Sequence, residues 1–494
     1  MSSPPGATGT YDPRVSAAVV SPTPVVTVTP DQDGPPAISP AHARRAAVGV
    51  VVFCASLPLQ WQSLATVPGL GTLRWFHLGL LPMLALAAPS WRLLALVVRR
   101  SRPVPEGMVA FIACNLLTAV AWGADPSDFV QRTVYCVFGL VGGACVLVAM
   151  HDAAGRRVLV YASLVTTVVF SANFYLAMVA ARVDPLATVE RAVLSGDPSI
   201  IEFSLFRSSF NSSGDSDVRS NARHEIFAAL VVVFAVSLVA GAVTRATRIV
   251  LVVSGVLTLA LVFISQSRSN LLAVVLAVAV VGARTVVTRR IRAGTVALVV
   301  FVIGVALAAF PVVGGLVVTR LTQTQSYDSR INAFASQLTT DQIVQRLLVG
   351  GPRLEKSTHN IIGDGALRGG VVGGIGAAII VLALVFVAVR CTRGYFRHHS
   401  TAWFGAVLAL AVTLVRCFTA GGGQIQLTEW FGVGLAIAVL IRSGWGVQDP
   451  VVAVADDGGE SGVGEAVPGE TARTVPGPAR RRARISAGPT PPPA

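Results

Sequence analysis

Long apolar stretches alternate with short polar connections between about residues 45 and 442. A helix needs roughly 20 mostly apolar residues to cross the hydrocarbon core of a bilayer. The stretches that meet this requirement are 45–64, 76–98, 106–123, 129–150, 156–181, 226–243, 248–265, 268–285, 294–319, 361–390, 401–419 and 424–442. The pattern predicts an all-α polytopic membrane protein with about 12 transmembrane helices. The second and eighth stretches are the weakest, since Arg92 interrupts one and the pure apolar core of the other is short.

Arginines gather in every second connection, and this alternation predicts the orientation of the chain. They are Arg99, Arg100 and Arg102, then Arg156 and Arg157, Arg245 and Arg248, Arg284, Arg289, Arg290 and Arg292, and finally Arg390, Arg393 and Arg397. Short loops rich in arginine stay in the cytoplasm. We therefore predict a multi-pass protein of the plasma membrane with both termini cytoplasmic. The short outward connections at 124–128 and 420–423 contain no arginine, as this orientation requires.

The composition supports membrane embedding. Only 13% of the residues are charged and 53% are hydrophobic, whereas a soluble domain has about 25% charged residues. The chain has 39 Lys and Arg residues and 25 Asp and Glu residues. This positive charge does not indicate nucleic-acid binding, because the arginines lie at the ends of apolar runs. The six cysteines lie in or beside apolar segments without a CxxC pair, so packing is the better interpretation than disulfides or zinc.

The two ends of the chain differ from the region between them. Residues 1–44 are rich in Pro, Ser, Thr and Val, and residues 443–494 have a similar polar composition. We predict a disordered cytoplasmic tail at each end of a transmembrane domain at 45–442. The C-terminal tail contains a basic cluster formed by Arg480, Arg481, Arg482 and Arg484. Contact with anionic membrane lipid is one interpretation of this cluster, and a plain soluble tail is the other.

Three outward connections are polar. Two are long, at about 182–225 and 320–360, and loops longer than about 12–15 residues usually have a function. The third is the short run from Ser265 to Asn270, in which hydroxyl residues flank Arg268. A guanidinium held at this depth can bind a phosphate through two hydrogen bonds. The alternative is an arginine that snorkels to the interface.

His359 and Asn360 close the second long loop, just before a stretch of small residues at 363–374. A histidine at the membrane boundary can accept a proton from a sugar hydroxyl, because its reference pKa lies near 6.5. A structural hydrogen-bonding role is the alternative. The other charged candidates are Arg219, Arg223, His224 and Glu225 before the sixth span, Arg330 in the second loop, Asp364 and Arg368 in the tenth span, and Arg416 and Glu429 near the outer ends of the last two spans. Loop solubility, snorkelling or mutual ion pairing would also explain each of these.

Several common catalytic patterns do not occur in the sequence. It contains no nucleotide-binding P-loop, no Gly-x-Ser-x-Gly elbow and no His-Glu-x-x-His helix. We therefore predict that the protein uses no cofactor and has no metal site.

Three sequence elements together resemble the O-antigen ligase and O-antigen polymerase superfamily of bacterial surface-polysaccharide assembly. They are the run Ser265 to Asn270 before an apolar helix, the series Gly350-Gly351-Pro352, His359-Asn360 and Gly370-x-x-Gly373, and the polar approach Arg219-Ser220-Asn221 with His224-Glu225. The resemblance is most specific across 219–375. The family commonly has an acidic residue shortly before the last Gly-x-x-Gly, where this chain has Arg368.

The resemblance implies a GT-C-like fold and a metal-independent glycosyltransferase. Its donor would be a polyprenyl-pyrophosphate-linked glycan, and its acceptor a glycan or a lipid-glycan. The implied catalytic residues are Arg268 and His359, and the implied substrate-binding residues are Arg219, His224, Arg330, Asn360 and Asp364. Polymerase and ligase activities both remain open. The principal alternative is a transporter or flippase of lipid-linked glycans, and a non-catalytic scaffold is the third.

Overall fold

In the computed structural model of the protein, the described residues are 37–60, 63–67, 71–122, 126–195, 200, 221–241, 244–265, 267–287, 338–352, 360–419 and 425–445. They belong to one unit, Met1–Asp449, whereas the second unit, Pro450–Ala494, lies outside the described residues. Both predicted tails lie mostly outside them too, as does the ninth predicted span at 294–319.

The described part of the chain is almost entirely helical. Its helices are α1 (Pro40–Ser56), α2 (Trp75–Ala87), α3 (Trp91–Arg100), α4 (Val104–Trp122), α5 (Pro126–Ala149), α6 (Ala153–Leu159), α7 (Ala162–Ala180), α8 (Pro185–Ser195), α9 (Asn221–Ala240), α10 (Arg245–Ile264), α11 (Arg268–Val287), α12 (Thr340–Val349), α13 (Ile361–His398), α14 (Thr401–Thr419) and α15 (Leu427–Gly444). A short 3-10 helix, Leu57–Leu59, follows α1, and a two-stranded antiparallel hairpin joins β1 (Ser63–Val67) to β2 (Gly71–Arg74).

These helices agree with an all-α membrane protein. Within the described residues, eight are long and apolar enough to cross a membrane, and a bent pair would make nine. The predicted number of twelve therefore remains a prediction. Helix α1 begins at Pro40, five residues before the predicted boundary, because the hydroxyl of Ser39 accepts a hydrogen bond from the His42 N–H at 3.2 Å and caps the helix.

The second predicted span, 76–98, is wrong as a single straight helix. The chain bends by 107° between α2 and α3. Ala88, which ends α2, has a left-handed backbone conformation with φ 31°, and a continuing α-helix cannot contain that conformation. Helix α2 runs back along α1, since the His42 Nε2 atom lies 2.8 Å from the Ala87 carbonyl oxygen. The bend therefore lies beside the start of α1.

Glycines allow the central helices to approach closely. A Cβ atom added to Gly139 of α5 would lie 2.7 Å from the Trp430 carbonyl oxygen of α15, and one added to Gly143 would lie 2.5 Å from that of Gly434. Helices α5 and α15 therefore run parallel with their backbones in contact. Without a hydrophobic driving force between helices in lipid, such close packing is a principal source of association.

The arginine-bearing connections meet at one end of the bundle. Ser163 at the start of α7 donates its backbone N–H to the Ser237 hydroxyl near the end of α9 (3.0 Å), and Gly405 near the start of α14 packs on Ala235 of α9. We call this the arginine-rich end; it contains Arg44, Arg45, Arg156, Arg157, Arg245, Arg390, Arg393 and Arg397. The gathering of these arginines agrees with the predicted alternation.

The tenth predicted span, 361–390, is also wrong as a continuous helix. Within α13, Gly370 has φ 58° and ψ −151°, which breaks the helix. A Cβ atom added to Gly365 would lie 3.1 Å from the Cβ atom of Ala377, although these positions would be about 18 Å apart along a straight helix. The arm 361–369 therefore folds back along the arm 371–398. Asp364 and Arg368 belong to this short re-entrant arm rather than to a membrane-crossing helix.

Candidate functional site

A cluster of three charged side chains is buried where α9, α14 and α15 meet. The Arg416 Nε atom of α14 donates to the Glu429 carboxylate of α15. Its Nη2 atom lies 3.7 Å from the Glu225 Oε1 atom of α9. The side chains of Arg416, Glu225 and Glu429 are only 2%, 6% and 3% exposed. Charges are expensive inside a membrane protein unless they are paired, so this arrangement fixes the ends of three helices relative to one another.

Uncharged polar groups extend this cluster to the end of α1. The Thr428 hydroxyl donates to the Gln60 Oε1 atom at 3.4 Å. Among the described residues, Arg416 Nη1, Glu429 Oε2 and Gln60 Nε2 are buried without a hydrogen-bond partner. Two donors and one acceptor therefore remain to be satisfied inside one cluster, and such groups usually bind water or a polar ligand.

The connection between α10 and α11, which we call the Ser-Arg turn, contains Ser265 and leads to Arg268. It is short, as the sequence predicts. Helix α10 ends at Ile264 and α11 begins at Arg268. The Ser265 hydroxyl donates to the Val262 carbonyl oxygen at 2.6 Å, and the Ser267 and Ser269 hydroxyl oxygens lie 3.3 Å apart. All three serines are buried. The turn therefore places polar side chains in the interior of the protein immediately before Arg268 and after it.

Asn360 caps the re-entrant arm of α13. Its Oδ1 atom accepts hydrogen bonds from the Ile362 N–H (2.9 Å) and the Gly363 N–H (3.4 Å). The buried residue Asp364 lies in the first turn of the same arm. Since the arm folds back, Asn360 lies alongside the long arm of α13 rather than at its tip.

The glycine turn after α12 packs on the break in α13. The Gly351 N–H donates to the Arg368 carbonyl oxygen at 3.0 Å. A Cβ atom added to Gly350 would lie 2.9 Å from the Gly370 backbone nitrogen and 2.8 Å from the Trp122 Nε1 atom. Two parts of the predicted glycine series, 350–352 and 370–373, are thus in direct contact, with His359 and Asn360 between them in the chain.

Helix α14 is a common neighbour of the elements just described. Helix α11, which begins at Arg268, packs on it, and so does α13, which follows His359 and Asn360. Helix α14 also provides Arg416 of the buried cluster. Residues that are far apart in the sequence are therefore connected to one helix.

The predicted site residues are described to different extents. Asn360 and Asp364 are described completely, as above. The backbones of Arg268 and His224 are described at the starts of α11 and α9, but their side chains are not. Arg219, Arg330 and His359 lie outside the described residues.

Glu225 is the residue that sequence analysis undervalued. It follows the charged positions Arg223 and His224, so the sequence suggested that its side chain only keeps the loop soluble or snorkels to the interface. In the structure Glu225 instead lies in the second turn of α9 and is buried beside Arg416. The useful signal was the single acidic residue directly before an apolar run, since an acidic residue at membrane depth requires a partner.

Within the described ranges, no group of three or more His, Cys, Asp or Glu side chains is arranged to hold a metal ion. No protein-family model matches the sequence. No curated protein is significantly similar to it. The resemblance to the ligase and polymerase superfamily therefore rests on the motifs themselves.

Proposed function

We propose that this protein is a membrane glycosyltransferase that polymerises or ligates polyprenyl-pyrophosphate-linked oligosaccharides on the extracytoplasmic face of the plasma membrane. The observation that carries the proposal is the packing of both motif-bearing helices, α11 and α13, on α14. A two-part site requires that its parts share a neighbour. Since α11 follows the Ser-Arg turn and α13 follows His359 and Asn360, their packing on α14 supports a site shared by these two parts.

The donor fits the chemistry of the Ser-Arg turn. A polyprenyl chain is apolar and suits the lipid-exposed surfaces of the helices, while its pyrophosphate needs a cation. Arg268 would bind the pyrophosphate through its planar guanidinium, assisted by Arg219 and Arg330. Such a fixed positive charge stabilises the negative charge that develops on the leaving group and takes the part that a metal ion has in other transferases.

The acceptor hydroxyl is the nucleophile in the transfer step. An acceptor hydroxyl attacks the anomeric carbon of the donor sugar, the bond from that carbon to the pyrophosphate oxygen breaks, and polyprenyl pyrophosphate leaves. His359 receives the hydroxyl proton. Asn360, His224 and Asp364 would orient the sugars by hydrogen bonds. The reaction needs neither a nucleotide sugar nor a cofactor.

One observation favours a transporter as the second candidate. Transporters commonly bind substrate at discontinuous helices near the middle of the membrane, and α13 is broken at Gly370. The buried charges of Glu225, Arg416 and Glu429 suit such a site as well. A flippase would move a lipid-linked glycan across the bilayer without breaking its bond to pyrophosphate.

Reconstituted protein separates the two candidates. Proteoliposomes would receive a polyprenyl-pyrophosphate oligosaccharide with a fluorescent sugar, together with an unlabelled acceptor glycan. The transferase predicts release of polyprenyl pyrophosphate and a larger labelled glycan. Transfer of label between leaflets with intact donor would contradict the enzyme and support the flippase.

The glycans of a deletion strain separate the two transferase activities. Accumulation of single lipid-linked repeat units would indicate a polymerase. Accumulation of long, unattached chains would indicate a ligase. An unchanged glycan profile would contradict both.

A further inference from the structure

Helix α3 lies across the bundle at the arginine-rich end instead of passing through it. It turns away from α2 by 107°, and α2 ends beside the start of α1 at His42. Helix α3 packs on α5 and α15, and α4 begins directly after it. A helix of 10 residues is about 15 Å long, too short to cross a bilayer.

Three different surfaces run along α3. Its inward surface consists of Leu93, Leu96 and Val97, which are buried. Trp91 and Val98 lie together on one exposed flank, with exposed fractions of 80% and 44%. Two turns also separate Arg92 from Arg99, so these exposed arginines lie within about 20° of each other around the helix axis, on the other flank.

This division matches a helix that lies in the plane of a membrane surface. Such helices bury an apolar flank at the boundary between headgroups and acyl chains and present a basic flank to the headgroups. Tryptophan is enriched at that boundary. We infer that α3 is an in-plane interfacial helix whose flank of Arg92 and Arg99 binds the phosphates of anionic phospholipids in the adjacent leaflet. Such lipid binding does not depend on the proposed transferase activity.

Lipid retention tests the binding. Full-length protein would be titrated with phosphatidylglycerol in phosphatidylcholine-containing micelles, and bound lipid would be counted by native mass spectrometry. An arginine near an anionic surface contributes about 1 kcal/mol. At 1.4 kcal/mol for each factor of ten, Arg92→Gln with Arg99→Gln should weaken phosphatidylglycerol binding roughly thirtyfold.

A matched control removes two other exposed arginines, one just after α7 and one in α8, by the changes Arg182→Gln and Arg191→Gln. It should retain wild-type binding. Equal phosphatidylglycerol binding by wild type, double variant and control would overturn the inference, and so would an equal loss in both variants. The thermal unfolding midpoint of each variant should equal that of the wild type, which would show that the helix bundle is intact.

The position of the helix is tested separately with spin labels at Arg92→Cys and Val98→Cys. The label at position 98 should be accessible to oxygen, which concentrates in the acyl region, and the label at position 92 to a water-soluble nickel complex. High oxygen accessibility at both positions would identify α3 as part of a membrane-crossing segment and contradict the inference.

Discussion

Arg416→Ala should destabilise the protein more strongly than any other single arginine replacement among the described residues. The change removes the guanidinium that pairs with both Glu225 and Glu429, which are buried. Both buried carboxylates would then lose the opposite charge of Arg416. Removing one partner of a buried ion pair costs about 3–5 kcal/mol, most of it from the uncompensated charge that stays behind.

The magnitude converts to a measurable change in the unfolding temperature. One kcal/mol lowers the midpoint by about 2–4 °C in a domain of 150–250 residues, so the lower estimate corresponds to roughly 6 °C. A dye that fluoresces on reaction with thiols suits the assay, because Cys136 and Cys417 are buried in the folded protein. Heating the purified protein in detergent with this dye follows exposure of the thiols.

Two further variants show whether charge is the cause. Arg191→Ala removes an exposed arginine from α8 and should change the midpoint by less than about 1 °C, since exposed charges contribute little. The triple variant Glu225→Gln, Arg416→Met, Glu429→Gln removes every charge and should recover most of the loss. A midpoint for Arg416→Ala equal to that of Arg191→Ala would refute the reasoning, as would a triple variant less stable than Arg416→Ala.

Two other substitutions test α13. Gly370→Ala should destabilise the protein by about 1–3 kcal/mol, because φ 58° with ψ −151° suits only glycine and the new Cβ atom would lie 2.7 Å from the Val349 carbonyl carbon. Its control, Gly282→Ala, meets nothing within 4 Å and should be neutral or slightly stabilising in the same unfolding assay. Asn360→Ala should cost about 1 kcal/mol by loss of the helix cap, whereas Asn360→Asp should keep the cap. If the Asn360 amide also binds substrate, the aspartate variant should remain stable but lose glycan product; full output from it would exclude that role.

Sequence patterns predicted most helices, because long apolar runs identify membrane segments directly. They did not predict the bend at Ala88 or the reversal at Gly370. An apolar run shows only that its residues avoid water. A straight helix and a helix that folds back can therefore have the same apolar run. The glycines at 363–374 indicated close approach of helices, but the partner proved to be the same helix, brought back by the unusual conformation of Gly370.

The buried charges were predictable only as isolated candidates. Arg416 and Glu429 stood out as charges in apolar runs. Glu225, the second acidic partner of Arg416, is almost two hundred positions earlier in the chain, and only the packing of α9 on α14 brings it near. Local spacing therefore identified which charges needed a partner, but not which partner they have.

Glycan production by variants of the two predicted catalytic residues tests the central claim most directly. A deletion strain would express wild type, Arg268→Ala, Arg268→Lys or His359→Ala, with Arg191→Ala as the control and with membrane levels of each protein measured. We expect both alanine variants to abolish polymeric or ligated glycan at normal protein levels, and Arg268→Lys to be poor because an ammonium group cannot make the two-point contact with a phosphate. Wild-type glycan output from both alanine variants would contradict the proposed mechanism.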